Sequence, residues 1–208
     1  MVKKSASSRQ WLKKHFTDPY VKQAQKEGYR SRAVYKLLEI QEKDRLIKPG
    51  MNIVELGAAP GGWSQILVKL LAGQGKIIAL DILPMEPLKG VNFIQGDFTS
   101  DLVFQALNQK LENESLDLVL SDMAPNFSGI GSVDQLRTIY LAELALEFAL
   151  KHLSPEGSFL VKVFQGEGID AFLKLLKQNF IKVFIRKPKA SRKDSAEVYL
   201  LARGKKIR

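Results

Sequence analysis

Val54-Glu55-Leu56-Gly57-Ala58-Ala59-Pro60-Gly61-Gly62-Trp63 decides the fold of this chain. A short apolar run leads into it, and the helix-like run 64–71 follows. A strand, a turn of small residues and a helix, in that order, build a nucleotide-type cofactor pocket. Glycine and alanine let the backbone approach a ligand that larger side chains would hold away. The turn departs from the dinucleotide pattern G-x-G-x-x-G. Ala59 stands where the second glycine belongs, and Pro60 removes a backbone donor. Glu55, Gly57, Ala59 and Gly61 fall in register with E-x-G-x-A/G-x-G instead. Outward from this turn the chain alternates. Strands are expected at 52–56, 76–80, 91–95, 116–121 and 158–164, with helices at 62–71, 101–111, 133–153 and 168–179. Alternation of this kind predicts a mostly parallel sheet with helices on both faces. The segments 181–186 and 197–202 are separated only by a loop, which predicts that they form an antiparallel pair. Upstream, Ser31 reads as the N-cap of a helix running to about residue 44. Residues 7–27 read as one or two short surface helices. The loops 126–131 and 188–194 are rich in Gly, Ser or Lys and are expected to be mobile.

A chain of 208 residues suits one α/β domain, and its 45% hydrophobic content excludes a disordered chain. The expected organisation is a basic arm over 1–30 and one catalytic domain over 31–208. There is no cysteine, so disulfides and thiolate chemistry are excluded. No apolar run approaches the ~20 residues of a membrane span. The first 17 residues carry Lys, Arg and Ser without an acid, as transit peptides do. They are short and run on without a break, so a basic segment of a cytoplasmic protein is the preferred reading. The net charge of +10 is uneven. Residues 1–50 hold 13 Lys and Arg against 5 acids, and residues 181–208 hold 10 against 2. The middle holds 9 against 15. Two basic flanks around an acidic centre point to a polyanion, most commonly nucleic acid. Trp11, Phe16, Tyr20 and Tyr29 lie among these basic residues. They either stack on unpaired bases or anchor the arm to the core.

Ligands of open α/β sheets bind beyond the carboxyl ends of the strands. Asp81, Asp97 and Asp122 stand at three such ends. Asp81 is placed for ribose hydroxyls and Asp97 for an adenine ring, although any one of them alone could simply cap a loop. Lys162 interrupts the apolar run 158–164. Lysine is seldom buried without a partner. Either its ammonium snorkels out, or it stands at the mouth of the crevice, paired with Asp122 and placed for catalysis. His15 and His152 are far apart and belong to no ligand cluster, so no metal is expected. Ser128 and Ser132 lack the partners of a hydrolase.

The turn 55–61 resembles the S-adenosylmethionine (AdoMet) site of Rossmann-like class I methyltransferases, a likeness that implies an antiparallel final strand at the edge of the sheet. More specifically, the chain resembles the RrmJ/FtsJ family of AdoMet-dependent ribosomal RNA ribose 2′-O-methyltransferases. The resemblance spans nearly the whole chain. It is carried by the segment 31–37 (Ser-Arg-Ala-Val-Tyr-Lys-Leu), the cofactor turn through Trp63, the segment 122–126, Val161-Lys162-Val163-Phe164 and Lys189-Ala190-Ser191-Arg192. It implies a catalytic set of Lys36, Asp122, Lys162 and Glu197. It also implies cofactor contacts at Gly61, Trp63, Asp81, Asp97 and Asp122. The implied substrate is a uridine of large-subunit ribosomal RNA, methylated in an assembled subunit by a monomeric enzyme that needs no metal. Methyl transfer to a ribose hydroxyl requires alignment of an in-line displacement and removal of a proton. Lys162 serves as the base if its amine is neutral, or stabilises the developing alkoxide if it is charged. Both roles stay open at this stage. Three competing readings are a tRNA 2′-O-methyltransferase, a catalytically silent ribosome assembly factor and an NAD-dependent oxidoreductase. An intact set of four argues against the second, and the glycine pattern argues against the third.

Overall fold

A computed structural model describes residues 17–112, 114–192 and 194–207. Seven strands form one sheet: β1 (Asn52–Leu56), β2 (Lys76–Asp81), β3 (Asn92–Gln95), β4 (Leu116–Ser121), β5 (Leu153–Phe164), β6 (Phe180–Arg186) and β7 (Glu197–Lys205). Their order is β3-β2-β1-β4-β5-β7-β6. The first five pair in parallel, and β7 runs antiparallel to both of its neighbours. The chain steps outward from β1 to β3, then returns to lay β4 on the other side of β1. That reversal opens a crevice above the carboxyl ends of β1 and β4. The described residues contain no helix long and apolar enough to cross a membrane.

Side chains alternate across each strand, and this sorts the core into two layers. Val54, Val119, Val161, Val198 and Leu200 meet α4 (Asp101–Leu111), α5 (Gly131–His152) and α6 (Ile169–Asn179) on one face. Ile53, Leu118, Leu160, Tyr199 and Leu201 meet α2 (Val34–Asp44) and α3 (Gly62–Leu71) on the other. Helix α1 (Pro19–Lys26) also docks there through Ala24. The parity matters for function. Lys162 is two residues beyond Leu160, and Glu197 is two before Tyr199, so both polar residues point to the α2–α3 face.

Several expectations shift by a few residues, for local reasons. Ser31 is not the cap of α2. The helix begins at Val34 behind Ala33, and no side chain caps it. Strand β5 starts at Leu153 rather than 158 and takes in the Pro155–Gly157 stretch. The pairing register with β4 slips between Leu116 and Leu118 to admit it. The final strand is antiparallel as expected, but it is not at the edge. β7 is buried on both faces from Glu197 to Ala202, and β6 is outermost. The order follows composition: β6 exposes Ile181, Lys182 and Ile185, whereas β7 opens with an apolar run.

The loop 188–194, expected to be mobile, is pinned along its described part. Glu39 accepts from the Lys189 and Ala190 amides at 2.7 and 2.8 Å, and Arg32 donates to the Ala190 carbonyl. Ala190 and Ser191 are buried. The described part of the arm, from residue 17, packs on the domain. Asp18 pairs with Arg32 at 3.1 Å, and Tyr20 and Tyr29 both pack on Tyr35. These two tyrosines therefore anchor. Trp11, Phe16, His15 and the rest of residues 1–16 lie outside the described residues, as does the expected helix start at 7.

Candidate active site

Gly57 closes the crevice floor. Its φ of +78° is a left-handed conformation that side chains resist, and a Cβ there would sit 2.7 Å from the Met123 amide nitrogen. Only glycine lets the β1 turn lie this close to the segment leaving β4. The Asp122 amide donates to the Leu56 carbonyl at 2.9 Å, tying the two strand ends together.

Two ion pairs stand beside this floor. Lys162 Nζ lies 3.1 Å from Asp122 Oδ1 and also donates to the Asp122 carbonyl at 2.5 Å. Lys36 Nζ lies 2.7 Å from Glu197 Oε2. Both lysines and Glu197 are buried, and Asp122 is half-buried. Tyr199 links the pairs. It sits directly across from Lys162 in register, and its hydroxyl donates to Asp122 Oδ1 at 2.8 Å. The Lys36 ammonium is 5.8 Å from the centre of its ring. Burial, and next the charge of Asp122, raise the Tyr199 phenol well above its ordinary range, so it remains a neutral donor. The Ser191 hydroxyl donates to Glu197 Oε1 at 2.8 Å and fixes the carboxylate that holds Lys36. The snorkelling alternative for Lys162 is therefore not what the fold adopts: the residue is 8% exposed and its charge is partnered.

Beyond the strand ends lies a cavity of about 470 Å³ lined by Gly57, Asp81, Asp97, Thr99, Asp122 and Asn126, among others. Asp81 is held in place by two amides: Ala59 donates to Oδ2 and Leu83 to Oδ1, each at 2.8 Å. Each oxygen keeps acceptor capacity for a ligand hydroxyl. Asp97 Oδ1 accepts from the Thr99 amide and hydroxyl at 2.9 and 2.8 Å. Of the expected cofactor residues, Asp81, Asp97 and Asp122 line the cavity, whereas Gly61 and Trp63 do not. A Cβ on Gly61 would meet Arg30 and Met85, not the cavity. Trp63 is 2% exposed. Its indole N–H donates to the Ala33 carbonyl at 2.7 Å, and its ring packs 5.7 Å from Tyr199. It buttresses the linking tyrosine from below.

The donor set fits AdoMet. Carboxylates are set to accept from ribose and adenine, the volume is that of a small-molecule pocket, and Pro60 offers no amide to a phosphate. Among the described residues no group of three or more His, Cys, Asp or Glu could hold a metal.

The sequence does not give the roles of three residues: Tyr199, Ser191, which it shows only as part of the segment 189–192, and Glu55, which it shows only as the first position of the turn. The signal for Tyr199 is its parity with Glu197, which places both on the face of Lys162. The third is Glu55, at 1% exposure beneath the cavity floor. Ser64 donates to its Oε2 from the first turn of α3. Burial above all, opposed by the Ser64 hydrogen bond and reinforced by Asp122 and Asp81, pushes its carboxyl up to about 8.

The model of the FtsJ-like methyltransferase family matches residues 29–205. A protein of Alkalilimnicola ehrlichii named ribosomal RNA large subunit methyltransferase E is 61% identical over 202 residues, covering 97% of each chain. The protein of that name from Pseudomonas fluorescens is 58% identical, covering 97% of this chain and 96% of its own. A ribosomal RNA methyltransferase, putative, from Plasmodium falciparum superposes with a TM-score of 0.79 at 30% identity. That match covers 86% of this chain and all of the other. A methyltransferase of Streptococcus mutans shares the fold alone, with a TM-score of 0.51 at 14% identity over 81% of this chain and 97% of its own.

Proposed function

The chain belongs to the FtsJ-like methyltransferase family, and from that premise we propose that it methylates the ribose 2′-hydroxyl of a uridine in large-subunit ribosomal RNA, with AdoMet as donor. The observation that carries this reading is the pairing of Lys162 with Asp122 and of Lys36 with Glu197 on one face, with Asp122 also lining the carboxylate-rich cavity. The names of the relatives support large-subunit RNA over tRNA.

Bound AdoMet supplies an electrophilic methyl on a sulfonium, which leaves readily. The chain's task is then alignment and charge. Asp81 and Asp97 hold the ribose and adenine ends of the cofactor. Asp122 faces both the cavity and Lys162, so it fixes the lysine at the cofactor's reacting end. Lys162 acts on the acceptor hydroxyl, either taking its proton as a neutral amine or, as an ammonium, balancing the charge on its oxygen while the proton passes to solvent. Lys36 and Glu197 hold each other and position the ribose. Neutral Tyr199 keeps Asp122 in its rotamer.

The test is to map 2′-O-methyl groups on large-subunit RNA from cells with and without this protein. A single ribose methyl lost with the protein, and restored by purified protein on isolated large subunits, is the expected result. Transfer to tRNA with none to the subunit would overturn the substrate.

Asp81→Ala weakens AdoMet by about 1.5–3 kcal/mol, the worth of hydrogen bonds to a charged acceptor. Titration calorimetry reads this directly, and an unchanged affinity would remove Asp81 from the site. RNA binding falls steeply with salt, because two basic flanks release counterions from phosphates. A log–log plot of affinity against salt concentration with a flat slope would contradict an RNA partner held by these flanks.

A further inference from the structure

Strand β5 leaves the sheet through Lys162, Val163 and Phe164. Period-two alternation puts Phe164 on the face of Lys162, about 6.6 Å along the strand. Phe164 stands in register with Glu197, as Lys162 does with Tyr199. An aromatic ring thus lies one step beyond the ion pairs. Phe127, from the loop after β4, packs against it edge to face, with ring centres 5.5 Å apart and planes at 81°. Phe127 is 58% exposed.

Single exposed apolar side chains are common and need no explanation. This one is different because its loop is braced. Asp134 accepts from the Ser128 amide at 2.7 Å, the Ser128 hydroxyl at 2.8 Å and the Gly129 amide at 3.0 Å. Arg137 donates to the Asn126 carbonyl at 3.3 Å. Gln135 Nε2 donates to the Phe164 and Glu167 carbonyls at 2.9 Å. The start of α5 therefore holds both members of the aromatic pair, one on each side of it. Asn126, one residue before Phe127, lines the cavity. The fold invests six side-chain hydrogen bonds around a ring that it then leaves open to solvent.

We propose that Phe127, backed by Phe164, is the stacking surface for the base of the nucleotide whose ribose is methylated. The inference rests on the reading of the protein as an RNA ribose methyltransferase. Methyl transfer depends on holding the acceptor hydroxyl still. An unpaired base gives the largest rigid handle near that hydroxyl, and aromatic side chains stack on such bases. A phenyl face takes any base, so Phe127 sets the position of the acceptor and not its identity.

The test compares Phe127→Leu, which keeps bulk and apolarity but loses the ring, with Phe127→Trp, which keeps an aromatic face. The substrate is large subunits from cells lacking the protein, and the readout is methyl transfer at limiting subunit concentration and saturating AdoMet. Phe127→Leu is expected to lower the second-order rate about tenfold, the lower part of the range for a lost base stack. Phe127→Trp stays within about threefold of wild type. AdoMet affinity and melting temperature stay unchanged in both. A leucine variant as fast as wild type overturns the inference. So does a tryptophan variant as slow as leucine, or a leucine variant that loses AdoMet affinity in parallel. A wild-type protein inert on these subunits counts against the functional reading itself, and that control is read before any variant.

Discussion

Lys162→Ala loses at least ~10²-fold in single-turnover methyl transfer while keeping its fold and its AdoMet affinity. The expectation follows from position. Lys162 Nζ lies 3.1 Å from the cavity-lining Asp122, and its side chain is 8% exposed in an otherwise apolar strand. The bound holds for either chemistry at that atom. A neutral amine taking the proton, and an ammonium stabilising the alkoxide, are each worth two or more decades. The pH profile of the single-turnover rate separates them: a base gains rate as pH rises, and a charged stabiliser loses it. The assay transfers labelled methyl to large subunits at saturating AdoMet. A near-wild-type rate for Lys162→Ala would end the catalytic assignment.

The neighbours divide by what they touch. Lys36→Ala and Glu197→Ala are impaired in the same assay, since each leaves the other's charge buried and unpaired. Asp122→Ala is impaired in binding and in transfer, because its carboxylate meets both the cavity and Lys162.

The distribution of what was legible in the sequence has a physical basis. Strands β1, β2 and β4 are apolar runs that end abruptly in an acid or a glycine turn, so their limits were readable to within a residue. The odd lysine of β5 was readable for the same reason, as a charge inside an apolar run. The resemblance implies a cofactor contact at Trp63, and chain order alone does not say where its ring points: the first turn of α3 aims the indole at Ala33 and Tyr199. The insertion of β7 between β5 and β6 was not legible, because a short loop gives antiparallel pairing without saying which strand is outermost. The lengths of the apolar runs on β6 and β7 held part of that answer. The Phe127 platform was invisible for another reason: a phenylalanine in a Ser- and Gly-rich loop carries no periodic signal, and only the bracing by Asp134, Gln135 and Arg137 sets it apart.

Glu55 gives the cofactor turn its first residue, and its environment predicts a pH-dependent stability that the Gln variant lacks. The carboxyl is 1% exposed, and burial is the main cause that pushes it up to about 8, with Asp122 and Asp81 adding to the rise. In the unfolded chain it ionises near the ordinary 4.5. Below 4.5 it is protonated in both states, and its contribution to stability is fully present. As pH rises from 4.5 toward 8, the unfolded state gives up a proton that the folded state keeps, so stability is lost progressively. Above about 8 both states are ionised and the loss levels off. Each tenfold step in proton concentration across that window is worth ~1.4 kcal/mol, giving a total on the order of 5 kcal/mol. Glu55→Gln keeps the Ser64 hydrogen bond and has no proton to lose. Urea unfolding at pH 5, 6.5 and 8 should therefore show the wild type falling steadily behind the Gln variant. Parallel stabilities across that range would mean that the buried carboxyl is ionised throughout. The same neutrality bears on function. Three carboxyl groups crowd the crest of the sheet, and holding Glu55 protonated leaves Asp81 and Asp122 as the charges that face the cavity. Asp122→Asn removes one of the causes that raise Glu55, so in that background the pH window for the loss should end at a lower pH.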